Sequence, residues 1–111
     1  MSVQRTKLLQ GTLDMLILKA VGLRPLHGIG VARRIEQVTR GTFLIKSGSL
    51  FPALHRMEKE GWLSSCWCKS GKNQRAKYYR LTRRGCRHLD NEIDRWGLIL
   101  VAVARVLEDK G

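Results

Sequence analysis

A mainly helical fold carrying one small β-hairpin is what this 111-residue sequence predicts, and three observations lead there. Apolar residues return every three or four positions through most of the chain, the period of helices with one buried face. One break in that rhythm, Trp62 to Leu81, is β-rich, with strand alternation at Tyr79, Arg80 and Leu81, and it is divided by the small polar run Ser-Gly-Lys-Asn-Gln. The same stretch and the residues after it, Gly61 to His88, hold eight Lys or Arg and no Asp or Glu.

The first helix is expected from about Lys7 to Val21, with Leu9, Leu13, Leu16, Ile17 and Ala20 at helical spacing, and Gly22 and the Pro25 turn stopping it. A second runs from Gly28 to Thr39, with Ile29, Ala32, Ile35 and Val38 on one face and Arg33, Arg34 and Arg40 elsewhere; Gly41 ends it. The third begins near Ser47 to Ser49 with serine as N-cap and Pro52 in or close to the first turn, where a missing N–H costs little. Leu50, Leu54 and Met57 give it an inward face, and Gly61 is placed to close it in the left-handed conformation. Strands follow at Trp62 to Lys69 and Arg75 to Leu81, with Tyr79 and Leu81 on one face and Arg80 on the other.

Thr82 is a good N-cap for a last helix reaching Glu108. Its apolar residues Leu89, Ile93, Trp96, Leu100, Val103 and Leu107 follow an a/d heptad seam. Leu98, Ile99, Val101, Ala102 and Val106 flank that seam, so the second half is apolar almost all round. Such a helix needs a cover, and in so short a chain the natural cover is a second copy.

Length sets one structural unit, and an apolar fraction of 43% is that of an ordinary globular protein. The net charge of +12 lies almost wholly before residue 82; residues 82–111 contribute only +1. A field of that sign and density implies a polyanionic partner for the first three quarters and a different task for the last. No apolar run reaches the ~18 residues of a membrane span, and the N-terminus lacks a signal-peptide core. The expectation is a cytoplasmic protein with no membrane partner, whose three cysteines are reduced thiols.

Three helices, a basic hairpin and a closing helix make the order of a winged helix-turn-helix domain, in which the third helix enters the major groove and the hairpin lies on flanking backbone. The expected division is a DNA-binding part over residues 1–81 and a C-terminal dimerisation helix over residues 82–111, packed with the first helix. Three strings then carry a resemblance: HGIGVARRIEQVTRGTF, GSLFPALHRMEKEGWL and KYYRLTRRG. In this order they resemble the PadR family of bacterial transcriptional regulators, over roughly His27 to Trp96, with the flanking helices agreeing in pattern. The single short last helix looks like the smaller PadR subgroup. The resemblance implies a homodimer built from the first and last helices, and repression of a nearby operon relieved by a small molecule. The chain departs from the family pattern at Ile29 and Phe51, where tyrosine is usual, and at Cys66 and Cys68 in the first wing strand.

The expected DNA contacts are Lys46, Ser47, Ser49, His55, Arg56 and Lys59 on the third helix and Lys72, Asn73, Gln74, Arg75 and Lys77 on the wing. Ser47 and Ser49 suit phosphate at a helix N-terminus, His55 and Arg56 base edges, and the wing residues phosphate or the minor groove. The plainer reading of the same charges is a solvated helix face with Arg56 and Lys59 paired to nearby acids, and a hairpin edge kept from aggregating. Ile93, Trp96 and Leu100 are expected to line an effector cleft, with Trp96 stacking on a planar aromatic molecule as well as packing the seam. Cys66, Cys68, Cys86 and His88 form a CxC and a CxH, but residues two apart on a strand lie about 7 Å apart, a poor zinc knuckle and a poor disulfide. Buried thiols, no metal and no cofactor are expected there. Asp90, Glu92 and Asp94 beside basic residues read as a solvated face, not as catalysts. Two alternatives stand: a basic RNA- or ribosome-associated module, and a DNA-binding regulator triggered through its thiols or a metal.

Overall fold

The computed structural model describes residues 10–71 and 74–111. Its order is α1 (Gln10–Leu23), β1 (Leu26–His27), α2 (Gly28–Val38), α3 (Ser47–Lys59), β2 (Leu63–Ser70), β3 (Gln74–Leu81) and α4 (Arg83–Glu108). The mainly helical winged-helix architecture is therefore the observed one, with a sheet of three antiparallel strands in the order β1-β3-β2. β1 is new: two residues, too short to show a period, pair Leu26 with Tyr79 and His27 with Tyr78.

Three details differ from the sequence reading, each for a local reason, and one expectation falls outside the described residues. The expected start of α1 at Lys7, and Leu9 with it, lies outside the described residues. Gly22 does not stop α1, which runs on to Leu23; a Cβ there would stand 3.1 Å from Leu81 Cδ2, so the glycine serves close packing. In α2 the buried face is Gly28, Val31 and Ile35, while Ile29 and Val38 are exposed. α3 is capped by Lys46 without a side-chain bond, so Ser47 is its first residue and Pro52 sits in the second turn.

Three helix ends are closed by specific hydrogen bonds. His27 Nδ1 accepts from the Gly30 amide at 3.0 Å and caps α2. Gly61 takes φ +82 beyond α3, with its amide on Glu58 O and the Trp62 amide on Met57 O, both at 3.0 Å, the paired bonds of a Schellman close. The wing meets α4 at Thr82. Its Oγ1 donates to Gly61 O at 2.6 Å and accepts from the Gly85 amide at 2.9 Å. A Cβ at Gly85 would fall on the Trp62 carbonyl oxygen, so helix and wing root meet only through a residue without a side chain.

Ile17, Leu18, Val31, Leu50, Leu54 and Met57 fill the centre of the core, closed by Leu63, Tyr79 and Leu89. α1 thus lies beneath α2, α3, β3 and the start of α4. The rest of α4 projects, giving a molecule of 62 × 36 × 21 Å. Among the described residues no helix is long and apolar enough to cross a membrane.

Candidate nucleic-acid interface

α3 turns Leu50, Ala53, Leu54 and Met57 into the core. The remaining positions Gly48, Pro52, His55 and Lys59, three or four residues apart, make one exposed stripe. Lys46, Ser47 and Ser49 are exposed at its N-terminal end, where the helix dipole and the first amides favour an anion. Two side chains of this helix are spoken for. Arg56 Nη1 and Nη2 donate to Asp14 Oδ2 and Oδ1 at 2.8 and 2.7 Å, a two-toothed bridge to α1. The Asp14 side chain is 10% exposed and that of Arg56 34%; the hydrogen bond with Asp14 raises the Arg56 pKa further. Arg56 is thus the paired residue of the plainer reading, though with an acid 42 positions away rather than a neighbouring glutamate. Its guanidinium is therefore engaged with α1 rather than free.

Glu58 joins α3 to both strands of the wing. It accepts from Ser65 Oγ at 2.5 Å and from Lys77 Nζ at 3.2 Å. The Ser65 hydrogen bond and then Lys77 hold the Glu58 carboxyl below its ordinary range. Burial works against the charge on Lys77, but the hydrogen bond to Glu58 and the nearby Tyr79 prevail and its pKa rises; its ammonium lies 5.4 Å from the Tyr79 ring centre. Lys77 therefore bridges β3 to α3 through Glu58 and is paired rather than free.

Beyond that strut the wing is cationic and open. Gln74 and Arg75 are exposed as expected, while Lys72 and Asn73 lie outside the described residues. Lys69, absent from the expected contacts, pairs in register with Arg75, and Trp67 with Lys77. Like charges directly across a ladder are unfavourable unless an anion lies against them. Among the described residues neither Lys69 nor Arg75 has an acidic partner. Trp67, 61% exposed, shares their face. Strand alternation counted back from buried Tyr79, together with the register, would have revealed both.

α4 separates its expected roles. Leu89, placed in the dimer seam from its heptad position, is only 6% exposed and belongs to the protomer's own core; a heptad does not reveal where a helix leaves its own domain. Ile93, Leu100, Val103 and Leu107 are exposed, and Trp96 is 37% exposed. A groove between α1 and α4 is lined by Gly11, Thr12, Met15, Glu92, Arg95, Trp96 and Ile99. Ile93 and Leu100, expected in a cleft with Trp96, are not in its lining. The 92-95-96-99 stripe faces α1 while the 93-96-100-103 stripe faces outward, and Trp96 borders both.

The cysteines also differ from expectation. Cys66 is exposed and Cys68 half-buried, and their Sγ atoms are 2.7 Å apart, the side chains having rotated toward each other. Cys86 and His88 do not join them: among the described residues no three His, Cys, Asp or Glu gather as a metal site. His88 instead stacks on Trp62, ring centres 3.8 Å apart.

The comparisons agree with this geometry. Residues 17–91 match the transcriptional regulator PadR-like family. A PadR family transcriptional regulator from Eggerthella lenta has 30% identity and a TM-score of 0.78, over 91% of this chain and 86% of that one. A transcriptional regulator from Clostridium thermocellum has 25% identity and a TM-score of 0.79, over 86% and 93%. An uncharacterized protein of Lysinibacillus sphaericus is 26% identical over 92 residues, 83% of this chain and 84% of its own. With a helix-and-wing surface of free cations, a family match across most of the fold and solved relatives of the same shape, the chain belongs to the PadR-like family of transcriptional regulators.

Proposed function

We propose that the chain is a homodimeric repressor that binds a pseudo-palindromic duplex operator in the cytoplasm and releases it on taking up a small molecule. Residues 1–81 supply the DNA-binding part and residues 82–111 the dimerisation helix. The observation that carries the DNA contact is the Lys69–Arg75 cross-strand pair, a repulsive arrangement with no acid beside it among the described residues, placed next to a recognition helix whose own acid Glu58 is turned inward to the wing. Phosphate contacts fall to Lys46, Ser47, Ser49, Lys69, Lys72, Asn73, Gln74 and Arg75; His55 and Lys59 reach toward base edges. Arg56 and Lys77 position the two elements. The exposed Ile93, Trp96, Leu100, Val103 and Leu107 make the dimer face, and the α1–α4 groove at Trp96 receives a planar aromatic effector.

Selection of duplexes from a random pool, followed by binding at several salt concentrations against single-stranded RNA, tests this reading. Two recognition helices on a two-fold axis should select half-sites about 10–10.5 bp apart, or a multiple of that, and bind the duplex more tightly than RNA at every salt concentration. Tighter binding to the RNA, or an asymmetric single half-site, overturns it and favours the RNA-associated alternative.

A further inference from the structure

Two thiols of the wing are placed to react with each other. Cys66 and Cys68 point to the same side of β2, opposite Tyr78 and Ala76 on β3. This is the face away from buried Leu63 and Tyr79, so their surroundings are solvent and the neighbouring strand, not the core. Their Sγ atoms are 2.7 Å apart, against about 2.05 Å for a disulfide. Among the described residues no third ligand gathers with them, which leaves the pair short of a closed zinc site and free for thiol chemistry. The hydrogen bond with Cys66 raises the Cys68 pKa.

We propose that Cys66 and Cys68 are an oxidisable dithiol, closed to an intrachain disulfide by hydrogen peroxide, and that closing it loosens the wing from DNA. The DNA half of this inference rests on the function proposed above; the thiol half does not. The Cys66 thiolate attacks the peroxide's O–O bond, which breaks to leave a sulfenic acid on Cys66 and release hydroxide. The Cys68 thiol then attacks that sulfur, an S–S bond forms, and the displaced hydroxyl leaves with the thiol proton as water. Both sulfurs are oxidised by one electron each, and the peroxide is reduced to water. A disulfide favours Cα atoms about 5.5–6 Å apart, less than the about 7 Å of a two-residue strand step. Bond closure therefore shortens β2 between Ser65 and Lys69, and tilts the Lys69–Arg75 pair beyond it.

The test uses the full-length protein with hydrogen peroxide as oxidant. The chain has three cysteines, so the wild type should fall from three reactive thiols to one with the loss of two hydrogens per chain. A Cys86→Ser variant should fall from two to none, and dithiothreitol should reverse both. Oxidised wild type should bind its selected duplex about tenfold more weakly, the loss of one charged contact, while Cys66→Ser/Cys68→Ser is indifferent to peroxide. Interchain linkage, or overoxidation to sulfinic acid without the disulfide, overturns the thiol chemistry. A clean disulfide with unchanged affinity overturns the coupling to the wing. If the reduced protein binds no duplex at all, the DNA reading fails, and the thiol count and mass still decide the chemistry.

Discussion

The winged-helix half of this molecule and the far half of α4 handle unfavourable surface in opposite ways. Between Thr12 and Leu89 apolar faces meet one another, and Asp14, the one buried acid among the described residues, has two hydrogen bonds from Arg56. From Ile93 onward α4 shows Leu98, Leu100, Val101, Val103, Val106 and Leu107 at half exposure or near it and beyond, with α1 covering only the Trp96–Ile99 side. The first half is finished in one protomer. The second is left open, so the face proposed to carry the dimer is added to a fold already complete.

The largest expected effect strikes the unfinished half. Replacing Leu100 and Val103 together by Glu puts two charges into a face that a partner should dry, at several kcal/mol for each unpaired ion. Sedimentation should find monomer or unfolded chain where the wild type is dimeric. A folded, stable wild-type monomer at micromolar concentration would break the comparison.

In the finished half the ion pair should respond unequally to its two truncations. Arg56→Ala strands the Asp14 carboxylate in the core, at about 3 kcal/mol. Asp14→Ala leaves Arg56 able to turn into water, and should cost about 1–2 kcal/mol. Denaturant midpoints of the two variants give the ratio; equal losses would mean that the pair is not buried as described.

A smaller effect is set by pH. The folded Glu58 carboxyl lies below its ordinary value because Ser65 and Lys77 hold its charged form. It therefore stabilises the fold above the ordinary carboxylate pKa, and this contribution is lost as pH falls through the lowered folded value. Half-exposed groups of this kind contribute less than about 1 kcal/mol. Thermal midpoints of wild type and Glu58→Gln should differ near neutrality and converge in acid; a constant gap would remove Glu58 as the wing's tether.

Much of this was legible in one sequence because it is local. The Thr82 cap, the Gly61 close and the inward face of α3 depend on residues within a turn or two, and all three appear where their patterns put them. The misreadings share a different cause. The partner of Arg56 lies 42 residues away on another helix, so no local pattern shows that this cation is taken. On α2, exposed Ile29 and Val38 outweigh Gly28 in any count of apolar residues, yet Gly28 is buried, with Phe51 of α3 so close that a Cβ would meet its Cε1 at 2.7 Å. Candidate contacts were therefore visible as charges, whereas the split between free and anchored cations required the docked helices.

That split is the central claim, and the salt dependence of duplex binding tests it most directly. Each phosphate contact contributes about 0.9 to the slope of log K against log salt. Lys69→Ala/Arg75→Ala should lower the slope by up to ~2, weakening all sequences alike. His55→Ala should leave the slope nearly intact while costing ~1–3 kcal/mol on the selected site and far less on random duplex. An unchanged slope in the double variant, with His55→Ala weakening every sequence equally, would contradict the account and return the backbone contacts to the helix.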